Sequence, residues 1–235
     1  MIVHHTRRNS RTASGRIVTI TSFPAVHCRQ GSVSYKLEWN GLSMIFSGDT
    51  KPNQYMIDQA KPGVDVLIHE IVVPADVWVK KLGLPQTKAA IDGAQAVQDS
   101  SHTPQKAYGY ILDQIVKQGG KAPKLAVGTH FQATDDTIAA ALADIRKWYP
   151  IGDVTIAGDF MVINVSKSKG IKVRRANVSN YAWPQLPGVD ASSCDTPKYW
   201  QFAADGVTKV QAPMAQLDQE AVVHQCLDPA LYNAR

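Results

Sequence analysis

The chain is poor in cysteine, and the three it has are not spaced for a scaffold. Cys28, Cys194 and Cys226 form no CxxC pair and no Cys/His tract. A disulfide framework and a structural zinc finger are therefore excluded, while a bond between Cys194 and Cys226 stays open. No apolar run approaches the roughly 20 residues of a membrane span. The N-terminus lacks the apolar core of a secretory signal. No membrane partner is expected, and bacterial cytoplasm and periplasm both stay open. No GxGxxG or P-loop string offers a phosphate cradle. Charged residues make up only 19% against 44% hydrophobic, the balance of a packed chain. The 235 residues are enough for one large core.

The net charge is +5, and Arg7, Arg8, Arg11 and Arg16 supply much of the excess. No aromatics interleave with them, so they form no stacking platform for nucleic acid. Residues 1–15 show neither a helical nor a strand period and read as a disordered terminus.

The ordered part opens with a strand over 16–26, rich in Ile, Val and Thr. The segment 32–39 alternates, with Val33, Tyr35, Leu37 and Trp39 on one face. Asn40-Gly41 is the favoured two-residue hairpin turn, and 42–49 is the returning strand. A short helix follows over 53–60. Residues 64–70 (VDVLIHE) form a near-continuous apolar run, as in a strand covered on both faces. A helical turn is expected near 74–82, and loop or weak helix over 83–99. Ser100 to Pro104 reads as a helix entrance, with a hydroxyl cap and proline in the first turn. That helix runs to Lys117 and stops at Gly119-Gly120. A strand over 124–130 precedes a helix over 134–148, capped by Thr134, with Asp135 and Asp136 favouring its dipole and Ile138, Leu142 and Ile145 on one face. Residues 154–165 read as a strand pair or one bent strand. Beyond 166 lie a Lys/Arg cluster, a Pro-rich coil and a short helix over 214–225. The organisation is thus 1–15, 16–166 and a wrapping extension over 167–235. The order of elements suits a mixed α/β (α+β) sandwich layer better than a doubly wound fold.

Chemistry concentrates where strands end. His27, Asp49 and His130 each follow an apolar β-prone run, in TSFPAVHC, LSMIFSGDT and KLAVGTHF. Imidazole and carboxylate are ligand types for zinc and similar ions. Glu70 ends VDVLIHE beside His69, and His102 opens the next long helix. A carboxylate accepting from His102 would fix its tautomer and raise its basicity. His102 would then serve a leaving group as proton donor.

In sequence order these pieces read HC, SGDT, LIHE, SSHT, GTHF. The series resembles the C-terminal half of the metallo-β-lactamase superfamily, and within it the ribonuclease Z-like branch. SYKLEWNGLSMIFSGDTKPNQYMIDQA and SSHTPQKA are most similar to bacterial metallohydrolases of the guanitoxin-biosynthesis type. The resemblance covers about residues 17–180 and the YAWP segment.

That resemblance implies an αββα sandwich with a two-zinc site at the sheet edge. His27, Asp49 and His130 would be metal ligands, with Asp49 the bridging carboxylate. Glu70 and His102 would be the pair that protonates the leaving group, with His69 in a supporting role. A hydroxide held between the metals would attack a small-molecule or phosphoester substrate. The full-length protein would be a possible homodimer.

The departures are as informative. The superfamily's main signature, His-x-His-x-Asp-His, is absent, and His4-His5 does not replace it. The N-terminal half of the sandwich has no counterpart. The chain reads as a C-terminal piece of a longer enzyme, inactive or weakly active by itself and prone to self-association through bare strands. Two other functions compete. One is a non-enzymatic binding module anchored by Trp183, Tyr199 and Trp200. The other is an RNA-processing phosphodiesterase that uses Lys172–Arg175, although no aromatic platform accompanies those charges.

Overall fold

A computed structural model describes residues 6–11, 17–132, 135–158, 161–174, 200–202 and 209–211. Among these, strands β1 (Thr6–Arg11), β2 (Ile17–Pro24), β3 (Val33–Trp39) and β4 (Leu42–Phe46) run antiparallel in chain order. The β3–β4 turn places Asn40 at φ 50° and Gly41 at φ 68°, the left-handed pair that a tight hairpin demands. From β4 onward the sheet is parallel. Each step returns through helix: α1 (Gln54–Ala60) to β5 (Val66–Glu70), then α2 (Ala75–Lys81), α3 (Lys88–Ser101) and α4 (Gln105–Lys117) to β6 (Leu125–Thr129). The last step is α5 (Asp135–Arg146) to β7 (Val154–Ile156). The seven strands lie in the order β1-β2-β3-β4-β5-β6-β7, a mixed α/β sheet.

One face of the sheet carries the main core. Ile45, Leu67, Ala126 and Ile156 point into it and meet Met56 and Ile57 of α1, Ile111 and Ile115 of α4 and Ile145 of α5. Full burial of each such aliphatic side chain contributes about 1.5–3 kcal/mol. The helices press close: a Cβ at Gly109 of α4 would collide with the backbone carbonyl of Ile145. On the opposite face Val66, Leu125 and Val127 are covered by a hairpin, β8 (Val162–Ser166) and β9 (Gly170–Arg174), through Ile163, Val165 and Ile171. A separate small pair joins β10 (Trp200–Phe202) to β11 (Lys209–Gln211).

Several expectations need correction. Thr6–Arg11, read as patternless tail, pairs with β2 along its length. An edge strand needs only backbone partners on one side, and charged residues suit an exposed edge. The stretch read as loop or weak helix over 83–99 contains most of α3, 14 residues capped by Thr87, whose side chain accepts from Ala90 N–H. Ser100 and Ser101 close α3 rather than open α4, whose N-cap is Pro104 without a side-chain cap bond. Residues 154–165 do make two strands, in different sheets. The boundary drawn at 166–167 falls at the β8–β9 turn. The Thr134 cap, the side chains of Asp135 and Asp136, Trp183, Tyr199, Cys194, Cys226 and the helix over 214–225 lie outside the described residues. No helix among the described residues is long and apolar enough to cross a membrane.

Candidate metal centre

The parallel strands β4, β5 and β6 all end at one edge of the sheet, and their tips deliver Asp49, Glu70 and His130. The loop after β2 brings His27 to the same edge, and the α3–α4 junction brings His102. One ligand atom from each of His27, Asp49 and His102 lies within 4.8 Å of the other two. His130 Nε2 stands 3.9 Å from Asp49 Oδ2. The His130 ring stacks on His102 with centroids 5.3 Å apart, and His27 meets His102 edge-on at 5.7 Å. All five side chains singled out from the sequence thus converge. What the sequence did not indicate is that His102 stands as close to His27 and Asp49 as a ligand would.

Thr50 joins the segments. It is fully buried, and its hydroxyl accepts from Val26 N–H at 2.8 Å, which sews the His27 loop to the Asp49 turn. Its own N–H donates to Glu70 Oε1 at 2.9 Å, and its carbonyl accepts from the Thr103 hydroxyl at 2.6 Å. Asn53 adds a bond to the Thr50 hydroxyl at 3.0 Å while capping α1 through Met56 N–H. Ser47 accepts from Glu70 N–H at 2.9 Å. None of these three was singled out from the sequence. Their signal is a buried hydroxyl or amide within four residues of Asp49, and it acquires meaning only once the strands are paired. His130 takes φ 58°, a left-handed conformation costly for a side-chain-bearing residue, of the kind that persists where surrounding structure enforces it.

The protonation states suit metal binding. Burial lowers the pKa of His27, and the neighbouring His102 lowers it further against the opposing pull of Asp49. Burial also lowers His102, again opposed by Asp49. Both imidazoles are therefore neutral near pH 7, the form that offers a lone pair. Burial holds the Glu70 carboxyl well above its usual range, partly offset by the N–H groups of Thr50 and Thr103. The 3.2 Å contact between His102 Nδ1 and Glu70 Oε1 is accordingly a hydrogen bond and not a held ion pair.

Its direction follows the charge on Glu70. Oε1 accepts from Thr50 N–H and from Thr103 N–H at 3.2 Å. An ionised Glu70 can only accept, so His102 Nδ1 then donates and its Nε2 keeps the lone pair. This is the carboxylate–histidine arrangement that orients metal-bound imidazoles. His69 differs. It is fully buried, its Nδ1 contacts the Glu70 carbonyl at 2.7 Å, its ring stacks on Tyr108, and burial lowers its pKa to about 4.

Two imidazoles and a carboxylate are a zinc-type donor set. Ligand atoms of a tetrahedral zinc stand about 3.4 Å apart, given bonds of about 2.0–2.2 Å. A cluster within 4.8 Å fits one ion after small side-chain rotations. Among the described residues His27, Asp49, His102 and His130 are the candidates, too few for two fully ligated ions.

No family model matches the chain, and no curated protein does. Among solved structures it is similar to the metallo-β-lactamase fold protein YhfI of Bacillus subtilis, with TM-score 0.40 and 14% identity over 64% of this chain and 48% of that one. It is also similar to a Parabacteroides distasonis protein described as a metal-dependent hydrolase, with TM-score 0.38 and 16% identity over 66% of this chain and 56% of that one. The chain therefore spans about half the length of each.

Proposed function

We propose that the chain carries the metal-binding edge of a zinc-dependent hydrolase of the metallo-β-lactamase superfamily, in its ribonuclease Z-like branch. The convergence of His27, Asp49 and His102 within 4.8 Å carries this reading, with His130 beside them. His27, Asp49 and His130 hold the metal. Glu70 would fix the ring of His102, whose Nε2 would take up a proton from the incoming water and pass it to the departing group. Zinc bound there supplies Lewis acidity toward water and toward a developing oxyanion. The substrate is a small molecule or phosphoester. The described residues hold one ion more readily than two, so turnover by this chain alone is expected to be weak or absent.

The closeness of His102 to His27 and Asp49 favours a second reading, in which His102 is itself the third ligand. Competition with a zinc-chelating dye separates the two. His27→Ala and Asp49→Ala each weaken zinc binding at least about 100-fold, the scale reached even by groups that only support a ligand. In the first reading His130→Ala does the same and His102→Ala has a smaller effect. In the second reading the order reverses. Unchanged affinity in both His27→Ala and Asp49→Ala would overturn the metal centre altogether. It would leave the non-enzymatic binding module, which has no need of an ion. Salt-dependent RNA binding lost on substituting Lys172 and Arg174 would favour the phosphodiesterase.

A further inference from the structure

A cavity of about 570 Å³ opens beside the metal centre, with His102 in its wall. That volume falls within the range of small-molecule sites. It lies between α3, the start of α4 and the chain after β5, and the chemistry of its lining is specific. Gln98 and Gln105 line it and are 2% and 4% exposed. Each donates its amide nitrogen to a fixed acceptor: Gln98 to the Val73 carbonyl at 2.8 Å, Gln105 to Asp144 at 2.6 Å. Their side-chain carbonyls accept no hydrogen bond among the described residues, so both are available to hydroxyl donors.

The charges are not balanced in kind. Asp144 is engaged by Lys147 and Gln105, and Asp99 accepts from Gln95 at 2.8 Å. Asp144 is thus neutralised, with Lys106 of the same lining also acting on it, while Asp99 is held by a neutral amide. Lys51, two residues after Asp49, lines the same cavity, and its ammonium has no hydrogen bond or ion pair among the described residues. The N-terminus of α4 also borders the space. Its N-cap Pro104 provides no side-chain cap; Gln105 N–H donates to the Val72 carbonyl at 3.1 Å, and the positive end of the helix dipole adds to Lys51. No Phe, Tyr or Trp among the described residues lines the cavity, and the His102 ring in its wall is already stacked on His130, so a nucleobase finds no open platform.

We propose that this cavity binds a small aliphatic oxyanion bearing hydroxyl groups, with its charge on Lys51 and its hydroxyls on Gln98 and Gln105. As the class of substrate delivered to His102 the assignment rests on the hydrolase reading; as a binding site it stands without a metal.

The test is an amide NMR titration of the full chain held metal-free with chelator. Glycerol phosphate and glycerate are the probes, with glycerol and adenosine monophosphate as contrasts. The expected result is saturable shifts at the side-chain amides of Gln98 and Gln105 with one or both anions. Whichever binds more tightly identifies the anion as phosphate or carboxylate. Lys51→Met weakens that binding at least ten-fold, Lys51→Arg restores part of it, and glycerol binds at least ten-fold more weakly. The spectra themselves report that each variant is folded. Absence of saturable shifts, or Lys51→Met binding like the parent, would overturn the site. Tighter binding of adenosine monophosphate than of either probe would overturn the aliphatic class. A zinc titration on a second aliquot, stripped of metal and then freed of chelator, keeps the two proposals apart. Anion binding without zinc binding sinks the hydrolase and leaves the cavity; zinc binding without anion binding does the reverse.

Discussion

The parallel and antiparallel halves of the sheet obey opposite rules. In the parallel half, β5 and β6 are covered on both faces, by helices on one side and by the β8–β9 hairpin on the other. Their sequences are accordingly almost wholly apolar until the tip, where ligand-type residues appear, His69 and Glu70 in β5 and His130 after β6. In the antiparallel half the polarity is reversed. Thr19, Ser34 and Lys36 are buried on the helix side, with Lys36 donating to the Gln59 carbonyl at 3.2 Å. Ile20, Tyr35, Trp39 and Phe46 stand exposed on the other side. Glu70 and His130 sit at the tips of strands covered twice, where the backbone is held firmly, and His27 and Asp49 join them from the ends of β2 and β4. The bare apolar face has the composition of a covered surface and carries no site residue.

Matched truncations on neighbouring strands test that contrast most directly. Leu67 of β5 is fully buried, and Phe46 of β4 is 45% exposed. Leu67→Ala is expected to cost about 2–5 kcal/mol, through lost transfer energy and an unfilled cavity. Phe46→Ala should stay within about 0.5 kcal/mol, as surface changes do. Urea unfolding of both variants measures the difference. A cost for Phe46→Ala as large as that for Leu67→Ala would mean that the exposed face is covered in solution, and the contrast would break.

The same contrast explains what could be read from the sequence. The Asn40-Gly41 turn, the apolar runs and the ligand-type residues at their tips were legible because each is a local pattern. That the strand tips meet is an expectation from the sequence; the pairing that brings it about is parallel for β4, β5 and β6, while β2 reaches the same edge through two antiparallel steps. The helix α3 was not legible. Its buried residues are Gln98 and Ser101, so it lacks the apolar stripe that announces an amphipathic helix. Its end places His102, and therefore the closeness of His102 to His27 and Asp49 was hidden as well. Thr50 escaped because its role is to connect four segments, and no single segment shows that. Strand β1 escaped because an edge needs no hydrophobic pattern.

His69 sharpens the comparison at the level of charge. Its pKa of about 4 in the folded protein lies below the ordinary imidazole value of 6.5. Between those values the unfolded chain binds more protons, so stability falls as pH drops from 6.5 toward 4 and is fully present above 6.5. The loss from this one group is about 2 kcal/mol at pH 5, given that it is fully buried. Urea unfolding at pH 7 and pH 5 reads it, and His69→Gln should flatten the difference by that amount. Equal pH sensitivity in the variant would show that His69 is not what the parallel half protects from protonation.

The smallest effect concerns the bare face itself. A stripe containing Ile20, Tyr35, Trp39 and Phe46 offers apolar area to a second copy of the chain, and the exposed edge of β1 adds unpaired backbone. Concentration-dependent association is therefore expected in sedimentation velocity. Phe46→Lys puts a charge in the middle of the stripe and should weaken association by about ten-fold, or roughly 1.4 kcal/mol. The substitution leaves the metal edge untouched, because Phe46 points away from the helix-covered face on which Ile45 lies. Zinc affinity should therefore not change while association does. If association persisted unaltered in Phe46→Lys, the contacts between copies would have to lie elsewhere, and the reversed polarity of the antiparallel half would need another cause.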